Sequence, residues 1–228
     1  MLRKLLTTCL LTVVAFTVKA QTPTDYLSAE FHKSRRESFR AKMPKKSVAV
    51  LFANPIRNRA NDVDYVFHQD PNFYYLTGYR EPNAVLVIFS NNQTNAAGNT
   101  YNEILYVQKK DALSELWEGK RLGVVGAKEK LGFSVAKNAE EFVIDKIDFK
   151  KFDKIFIEKF KDDYRNSDRN IADVYDLVDS FKKNSNYNPS LFISGVKKQV
   201  YELIKSTPIE NSANVAQIIV EQLHIIQI

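Results

Sequence analysis

The chain alternates between short apolar runs and longer segments whose apolar residues recur at helical spacing. Apolar runs of four to eight residues bounded by polar residues are typical of strands buried on both faces of a sheet. Two such runs predict strands at residues 47–53 and 84–89, and two further strands are predicted at 103–107 and 154–158. Residues 90–99 are rich in Asn, Thr and Gly, so we expect a surface turn that joins the second and third strands in a hairpin.

Helices are predicted between these strands. The first begins at a cap formed by Thr24 or Asp25 and ends near Met43, before Pro44. Its charged face places His32, Arg35, Arg36 and Arg40 in solvent. Further helices are expected at residues 138–149, 167–182, 196–205 and 213–224, with short helical pieces and glycines at 109–131. Strands and helices in alternation indicate an α/β domain with a sheet covered on its faces.

The first twenty residues have the pattern of a secretory signal. Arg3 and Lys4 precede an apolar stretch at 5–18, and Val18-Lys19-Ala20 places small residues where cleavage would leave Gln21 first. A membrane anchor is the alternative, but the stretch is shorter than the roughly 20 apolar residues that span a bilayer. We therefore predict cleavage after Ala20 and a secreted or periplasmic protein without a membrane partner.

Removal of this leader changes the charge and the thiol content. Cys9 is the only cysteine, so the mature chain would lack disulfide, thiolate-metal and cysteine-nucleophile chemistry. The leader holds three of the 33 basic residues and none of the 27 acidic ones, which lowers the net charge from +6 to +3. A balance this small gives no reason to expect nucleic-acid binding.

The residue types needed for catalysis do not form a recognisable set. The three histidines are His32, His68 and His224, and none belongs to a His-Glu-x-x-His zinc motif. There is no Gly-x-Ser-x-Gly elbow and no phosphate-binding loop of the Walker type. We predict no catalytic residue and no metal site in this chain.

Two blocks of sequence are more specific. The first contains Asp62, Asp64-Tyr65, Phe67, Gln69-Asp70, Phe73-Tyr74-Tyr75-Leu76-Thr77-Gly78-Tyr79 and Glu81-Pro82. The second contains Lys109-Lys110-Asp111, Glu115-Leu116-Trp117-Glu118-Gly119-Lys120-Arg121-Leu122-Gly123 and Ala127-Lys128-Glu129-Lys130-Leu131-Gly132. In order and spacing, the two blocks resemble the N-terminal domain of aminopeptidase P, the Xaa-Pro aminopeptidases, a domain shared in looser form with prolidase and creatinase.

The resemblance implies a mixed β-sheet flanked by helices, of the ribonuclease H-like kind found in creatinase and aminopeptidase P. It implies an N-terminal domain at residues 21–210, and at 211–228 the start of an interdomain helix that would lead to a catalytic pita-bread domain. In the family, that catalytic domain holds two manganese ions through two Asp, one His and two Glu. Because the chain stops before it, we expect a truncated product that has no cofactor and is inactive alone.

The resemblance also implies roles for individual residues. Trp117, Asp62 and Arg121 would line the substrate pocket or a subunit interface, with Trp117 reaching a neighbouring subunit. A lone Trp between Glu residues is poorly placed for a core, and its amphipathic ring suits an interface. The other family positions are expected to be structural: Tyr65, Gln69, Phe73, Tyr75, Gly78, Pro82, Gly119 and Gly123. The simpler interpretation of the aromatic run is that it only builds the core.

Three functions follow from these observations. The first is the non-catalytic N-terminal domain of a secreted Xaa-Pro aminopeptidase, which assembles as a homo-oligomer or with a catalytic subunit and meets proline-containing peptides only in that assembly. The alternative is a stand-alone interaction module that docks on a complete peptidase or another partner. An independent enzyme with an unrecognised site is the least favoured of the three. The reading frame after codon 228 would separate the first two.

Overall fold

The computed structural model describes residues 27–145, 147–158, 160, 164–167 and 171–185, and the backbone of 192–194. The helices are α1 (Ala29–Lys42), α2 (Pro71–Thr77), α3 (Ala112–Glu118), α4 (Gly123–Leu131), α5 (Ala139–Ile144) and α6 (Val174–Ser185), with a 3-10 turn at Phe149–Lys151. The strands are β1 (Ser47–Phe52), β2 (Asn58–Ala60), β3 (Val63–Asp64), β4 (Val85–Thr94), β5 (Thr100–Val107), β6 (Ala136–Asn138), β7 (Lys154–Ile157) and β8 (Phe192–Ser194).

Six strands form one mixed sheet in the order β6-β5-β4-β1-β7-β8. The neighbours β1, β4 and β5 pair antiparallel, and the predicted hairpin between β4 and β5 is confirmed. The pairs β1–β7, β5–β6 and β7–β8 are parallel. The four predicted strands are all present, and they occupy the central positions where runs buried on both faces belong.

Helices cover both faces of the sheet, which confirms the predicted mixed sheet flanked by helices. Alternate residues of each strand point to opposite faces, so Leu51 and Val50 belong to different cores. The first core lies under α1, α2 and α4 and includes Phe39, Phe73, Leu76, Leu86 and Leu105. The second lies under α5, the 3-10 turn and α6 and includes Val87, Phe142, Phe149, Leu177 and Phe181.

Helix α1 differs from the sequence prediction in two ways. It begins at Ala29, where the Ser28 hydroxyl accepts a hydrogen bond from the Phe31 N–H at 3.2 Å. Residues 24 and 25 lie outside the described part of the chain. The expected exposure of His32 and Arg36 is wrong, since these side chains are buried at 1% and 0% relative exposure. Both lie on the face of α1 that packs on the sheet and α2, where their polar atoms find partners.

Several element boundaries also differ. Strand β4 continues to Thr94, which shortens the predicted turn to residues 95–99, where the Asn95 carboxamide oxygen accepts from the N–H groups of Ala97 and Asn99. The helix predicted at 138–149 ends at Ile144 because Asp145 is extended. Helix α6 begins at Val174 rather than 167, since Asp173 accepts from the Asp176 N–H in the manner of a cap.

Some elements had no counterpart in the sequence prediction. The hairpin β2–β3 and the edge strand β6 were not expected, because strands of two or three residues are too short to show a period. The leader, the helices predicted at 196–205 and 213–224, and the domain boundary near 211 lie outside the described residues. Among the described helices, none has the length and apolarity to cross a bilayer.

Candidate partner-facing site

Helix α3 is the least buried helix of the described chain. None of its seven residues is buried, and its three large apolar side chains, Leu113, Leu116 and Trp117, are 73%, 77% and 90% exposed. We call these three side chains the α3 surface. A helix of two turns is marginal in water by itself, so other contacts must hold α3 in place.

Local features of the chain define the two ends of α3. Asp111 caps the N-terminus by accepting from the Ser114 N–H at 2.8 Å, and the same bond lowers the pKa of the Asp111 carboxyl. At the other end Gly119 has a φ of +90°, which ends the helical path. The local sequence thus fixes where α3 starts and stops, but not what it faces.

Arg121 joins the end of α3 to the loop before it. Its side chain is only 14% exposed, and Nη2 donates to Glu118 Oε2 at 2.5 Å while Nη1 donates to the Lys109 carbonyl at 2.9 Å. The Arg121 N–H donates to Glu115 Oε1 at 3.2 Å. Both Nη groups are therefore engaged within the chain, and the expected contact of Arg121 with a substrate pocket stays a prediction.

Glu81 connects the two sequence blocks. Its Oε1 accepts from the Leu122 N–H at 2.6 Å, and its Oε2 accepts from the Tyr79 hydroxyl at 2.8 Å. Burial raises the pKa of the Glu81 carboxyl, although Tyr79, Leu122 and Arg121 favour its charged form. Burial also raises the pKa of Tyr79 well above its usual range, so the phenol remains a hydrogen-bond donor.

Gln69 holds the first block together from the inside. Its Oε1 accepts from the N–H groups of Asn54 and Asp70, both at 2.9 Å. Its Nε2 donates to the carbonyls of Glu81 at 2.8 Å and Tyr79 at 3.3 Å. The carboxamide of Gln69 therefore ties the end of β1, the start of α2 and the turn at Glu81 to one another.

The aromatic run lies on α2 and beyond it. Phe73, Tyr75 and Tyr79 are buried in the first core, as the simpler interpretation expects, whereas Tyr65 is 58% exposed. Gly78 ends α2 with a φ of +69°. Pro82 is half-buried, and Gly123, which is buried, begins α4. Sequence reasoning missed α2 itself, yet Asp70 followed by Pro71 is a helix-start signal that could have found it.

Asp62 lies on a different exposed element. It occupies the turn of the β2–β3 hairpin after Asn61, whose φ is +51°, and the hairpin residues are solvent-exposed. The Asn58 carboxamide stabilises the turn by donating to the carbonyls of Asn61 and Val63. The structure thus places Arg121 directly beside the end of α3 and Asp62 on a separate hairpin.

The described residues do not fit a metal centre. Within the described ranges, no group of three or more His, Cys, Asp or Glu side chains could hold a metal ion. We therefore assign no reaction step to a metal on these residues. What the site offers is an exposed aromatic and aliphatic helix held by exposed and half-buried polar contacts.

Comparison with known proteins identifies the family of this chain. The sequence matches the family described as "Aminopeptidase P, N-terminal domain" over residues 32–147, about half of the chain. The chain belongs to this family. The matched range contains both sequence blocks, α3, and the contacts of Gln69, Glu81 and Arg121.

Each of three similar proteins is much longer than the matched segment. The chain is 39% identical over 113 residues to the Xaa-Pro aminopeptidase of Haemophilus influenzae. This match covers 50% of this chain and 25% of that protein. It is 40% identical over 93 residues to human Xaa-Pro aminopeptidase 3, and this match covers 41% of this chain and 18% of that protein. The structure of E. coli aminopeptidase P with the inhibitor Pro-Leu superposes with a TM-score of 0.61 and 26% identity, covering 82% of this chain and 41% of that chain. This family domain therefore spans less than half of each of these relatives.

Proposed function

We propose that this chain is the non-catalytic N-terminal domain of an exported Xaa-Pro aminopeptidase, and that it works by assembly. In this proposal, a separate metal-binding domain carries the two manganese ions and cleaves the bond before proline. The α3 surface docks against that domain in a neighbouring subunit and forms one wall of its substrate pocket. The family membership and the names of the relatives support this assignment.

The exposure of the α3 surface is the observation that carries the proposal. Large apolar side chains grouped on one short helix are a common feature of protein interfaces, and Trp is among the residues most enriched at interface hot spots. We assign a peptidase domain as the occupant because the E. coli chain that superposes on this one is more than twice as long as the superposed part.

The first experiment tests whether the chain is inactive by itself. We expect the purified full chain with Mn²⁺ and a Xaa-Pro peptide to release no N-terminal residue, because the described residues offer no ligand cluster. Metal-dependent release by the chain alone would contradict the proposal. An unrelated Mn²⁺-dependent aminopeptidase assayed in the same buffer serves as the positive control.

The second experiment tests the pocket wall. In an assembly of the chain with the catalytic domain, Trp117→Ala should raise KM for a Xaa-Pro peptide and leave the melting temperature of the chain nearly unchanged. Val125→Ala is the matched control, since Val125 is a 64% exposed apolar residue on α4 and not on α3. Equal KM values for the two variants would argue against a role for α3 in the pocket.

Export completes the proposal. The basic, apolar and small-residue segments of the first twenty residues support a cleaved signal and a secreted or periplasmic location. The same location would bring the domain into contact with peptides outside the cytoplasm. A homo-oligomer would supply the neighbouring subunit that the α3 surface requires.

A further inference from the structure

We propose that Glu81 is the positioning residue of the α3 surface: its carboxylate fixes the segment that leaves α3 and thereby sets how Trp117 is presented. The use of that surface in a peptidase rests on the proposed function. The positioning role itself concerns only this chain and can be tested on it alone.

The first reason is that α3 has no anchor in either core. None of its residues is buried, so apolar burial cannot define its orientation. The contacts described for α3 are polar: the Asp111 cap, Glu115 with Arg121 and Lys120, and Glu118 with Arg121. Two of the α3 side chains therefore depend on where Arg121 is held.

The second reason is that Glu81 holds the residue next to Arg121. The 2.6 Å bond from the Leu122 N–H to Glu81 Oε1 joins positions 41 residues apart. A hydrogen bond to an ionised acceptor is shorter and stronger than one between neutral groups. Since Arg121 and Leu122 share a peptide bond, fixing the Leu122 N–H also fixes the Arg121 backbone from which the bonds to α3 begin.

The third reason is that Glu81 is itself immobilised from the core side. Its other carboxylate oxygen accepts from the hydroxyl of Tyr79, a residue that is 1% exposed. The Tyr79 hydroxyl in turn accepts from the Gln108 N–H at 3.3 Å, and Gln69 donates to the Glu81 carbonyl. Hydrogen bonds from Tyr79 to Glu81 and from Leu122 to Glu81 thus connect the core to the segment that follows α3.

A surface held in this way meets its partner already ordered. Binding then loses less conformational entropy than it would if α3 had to fold on contact. The physical role of Glu81 is therefore pre-organisation of the α3 surface, without any contact to the partner or to a substrate.

The single tryptophan gives a direct measurement. Trp117 is the only tryptophan in the chain, so time-resolved fluorescence anisotropy of the full chain reports on α3 alone. We expect Glu81→Ala to add fast local depolarisation of Trp117, and Glu81→Gln, which keeps an acceptor for the Leu122 N–H, to restore most of the slow component. Glu129→Gln is the matched control, because it removes an exposed carboxylate from α4.

Amide hydrogen exchange supplies the second measurement. In Glu81→Ala the Leu122 N–H should lose protection, while amides of the β1–β4 ladder keep theirs. If Glu81→Ala does not fold, Arg121→Gln replaces it, since this change breaks the link to Glu118 on the surface side and should loosen Trp117 in the same way. Unchanged anisotropy of Trp117 in a folded Glu81→Ala or Arg121→Gln chain would overturn the proposal, as would protection lost equally throughout the sheet.

These outcomes are separate from the fate of the proposed function. If the Glu81 variants loosen Trp117 but Trp117→Ala leaves KM unchanged in the assembled enzyme, the positioning role stands and the pocket-wall role fails. If Trp117→Ala raises KM but the Glu81 variants leave Trp117 as ordered as before, the pocket-wall role stands and Glu81 is not its positioning residue.

Discussion

Arg36 of α1 and Glu103 of β5 form a bidentate ion pair inside the protein, with Nε–Oε2 and Nη2–Oε1 distances of 3.0 Å. The Arg36 side chain is fully buried and that of Glu103 is 9% exposed. Nη1 of Arg36 also donates to the Leu76 carbonyl at 2.9 Å, and the centre of the Phe133 ring lies 3.8 Å from the guanidinium carbon. The pair therefore joins α1, α2 and the sheet at one point.

Removal of one partner of this pair should strongly destabilise the domain. Glu103→Gln would leave the Arg36 charge buried without a counter-charge, and we expect a loss of about 3–5 kcal/mol in the free energy of unfolding. Urea denaturation measures this free energy of unfolding. Glu30→Gln is the control, because the Glu30–Lys33 pair is exposed and contributes less than about 1 kcal/mol. Equal losses of unfolding free energy in the two variants would show that the buried pair stabilises the domain no more than the exposed pair does.

Gly78 should tolerate no side chain, for two separable reasons. Its φ of +69° disfavours any L-residue by about 1–2 kcal/mol, and a Cβ there would lie 2.7 Å from Cδ2 of the buried His32 ring. Gly98 has a φ of +81°, but a Cβ there would meet no atom within 4 Å, so Gly98→Ala isolates the backbone effect. Thermal unfolding should show Gly78→Ala to be the more destabilising by about 1–3 kcal/mol, the usual range for overpacking. Similar melting temperatures for the two variants would remove the steric part of this explanation.

His32 should make the domain less stable as the pH falls. Burial lowers the pKa of His32 below its ordinary value of 6.5, and the 2.8 Å contact of Nδ1 with the Tyr75 carbonyl requires a proton on Nδ1 in the neutral ring. Below pH 6.5 the unfolded chain binds a proton that the folded chain does not. Stability is therefore lost as the pH falls from about 6.5 towards the lowered pKa, by up to about 1.4 kcal/mol per pH unit.

Unfolding free energies at about pH 7.5 and about pH 5.5, on either side of the ordinary histidine pKa, test this expectation. His32→Gln, which can still donate to the Tyr75 carbonyl, should lose less stability on acidification than the wild-type chain. His68→Gln, which removes an exposed histidine, is the control for the substitution itself. Glu81 acts with the opposite sign, because its raised pKa adds stability as the pH falls, but it is present in all three proteins and cancels in the comparison. An unchanged pH dependence in His32→Gln would refute the assignment.

The leader should be removed on export. Expressed in a secreting host, the chain should have Gln21 as its first residue, which mass spectrometry of the intact protein can establish. Ala20→Glu should block cleavage, since the residue before the cut must be small. Lys19→Gln changes only the middle position of the cleavage motif and should be processed normally. A protein that retains Met1 in the exported fraction would contradict a cleavable signal.

Local sequence patterns were sufficient to predict the central strands and the family. Continuous apolar runs predicted β1 and β4, because a strand buried on both faces leaves that pattern whatever its neighbours are. The strands β5 and β7 were also predicted from the sequence. The two motif blocks indicated the aminopeptidase P N-terminal domain, and the family match confirmed it. A Trp between two Glu residues also predicted a position outside the core for Trp117, and this residue is 90% exposed.

Which polar residues are buried depends on contacts between distant parts of the chain, and these do not show in local patterns. Arg36 looks like a solvent-facing residue of a basic helix, because its partner Glu103 is 67 positions away and no local period indicates it. The link from Glu81 to Leu122, and the three segments tied by Gln69, are likewise contacts between distant parts of the chain. A local pattern reports whether a face is apolar, whereas burial of a charge depends on the group that the fold brings opposite it.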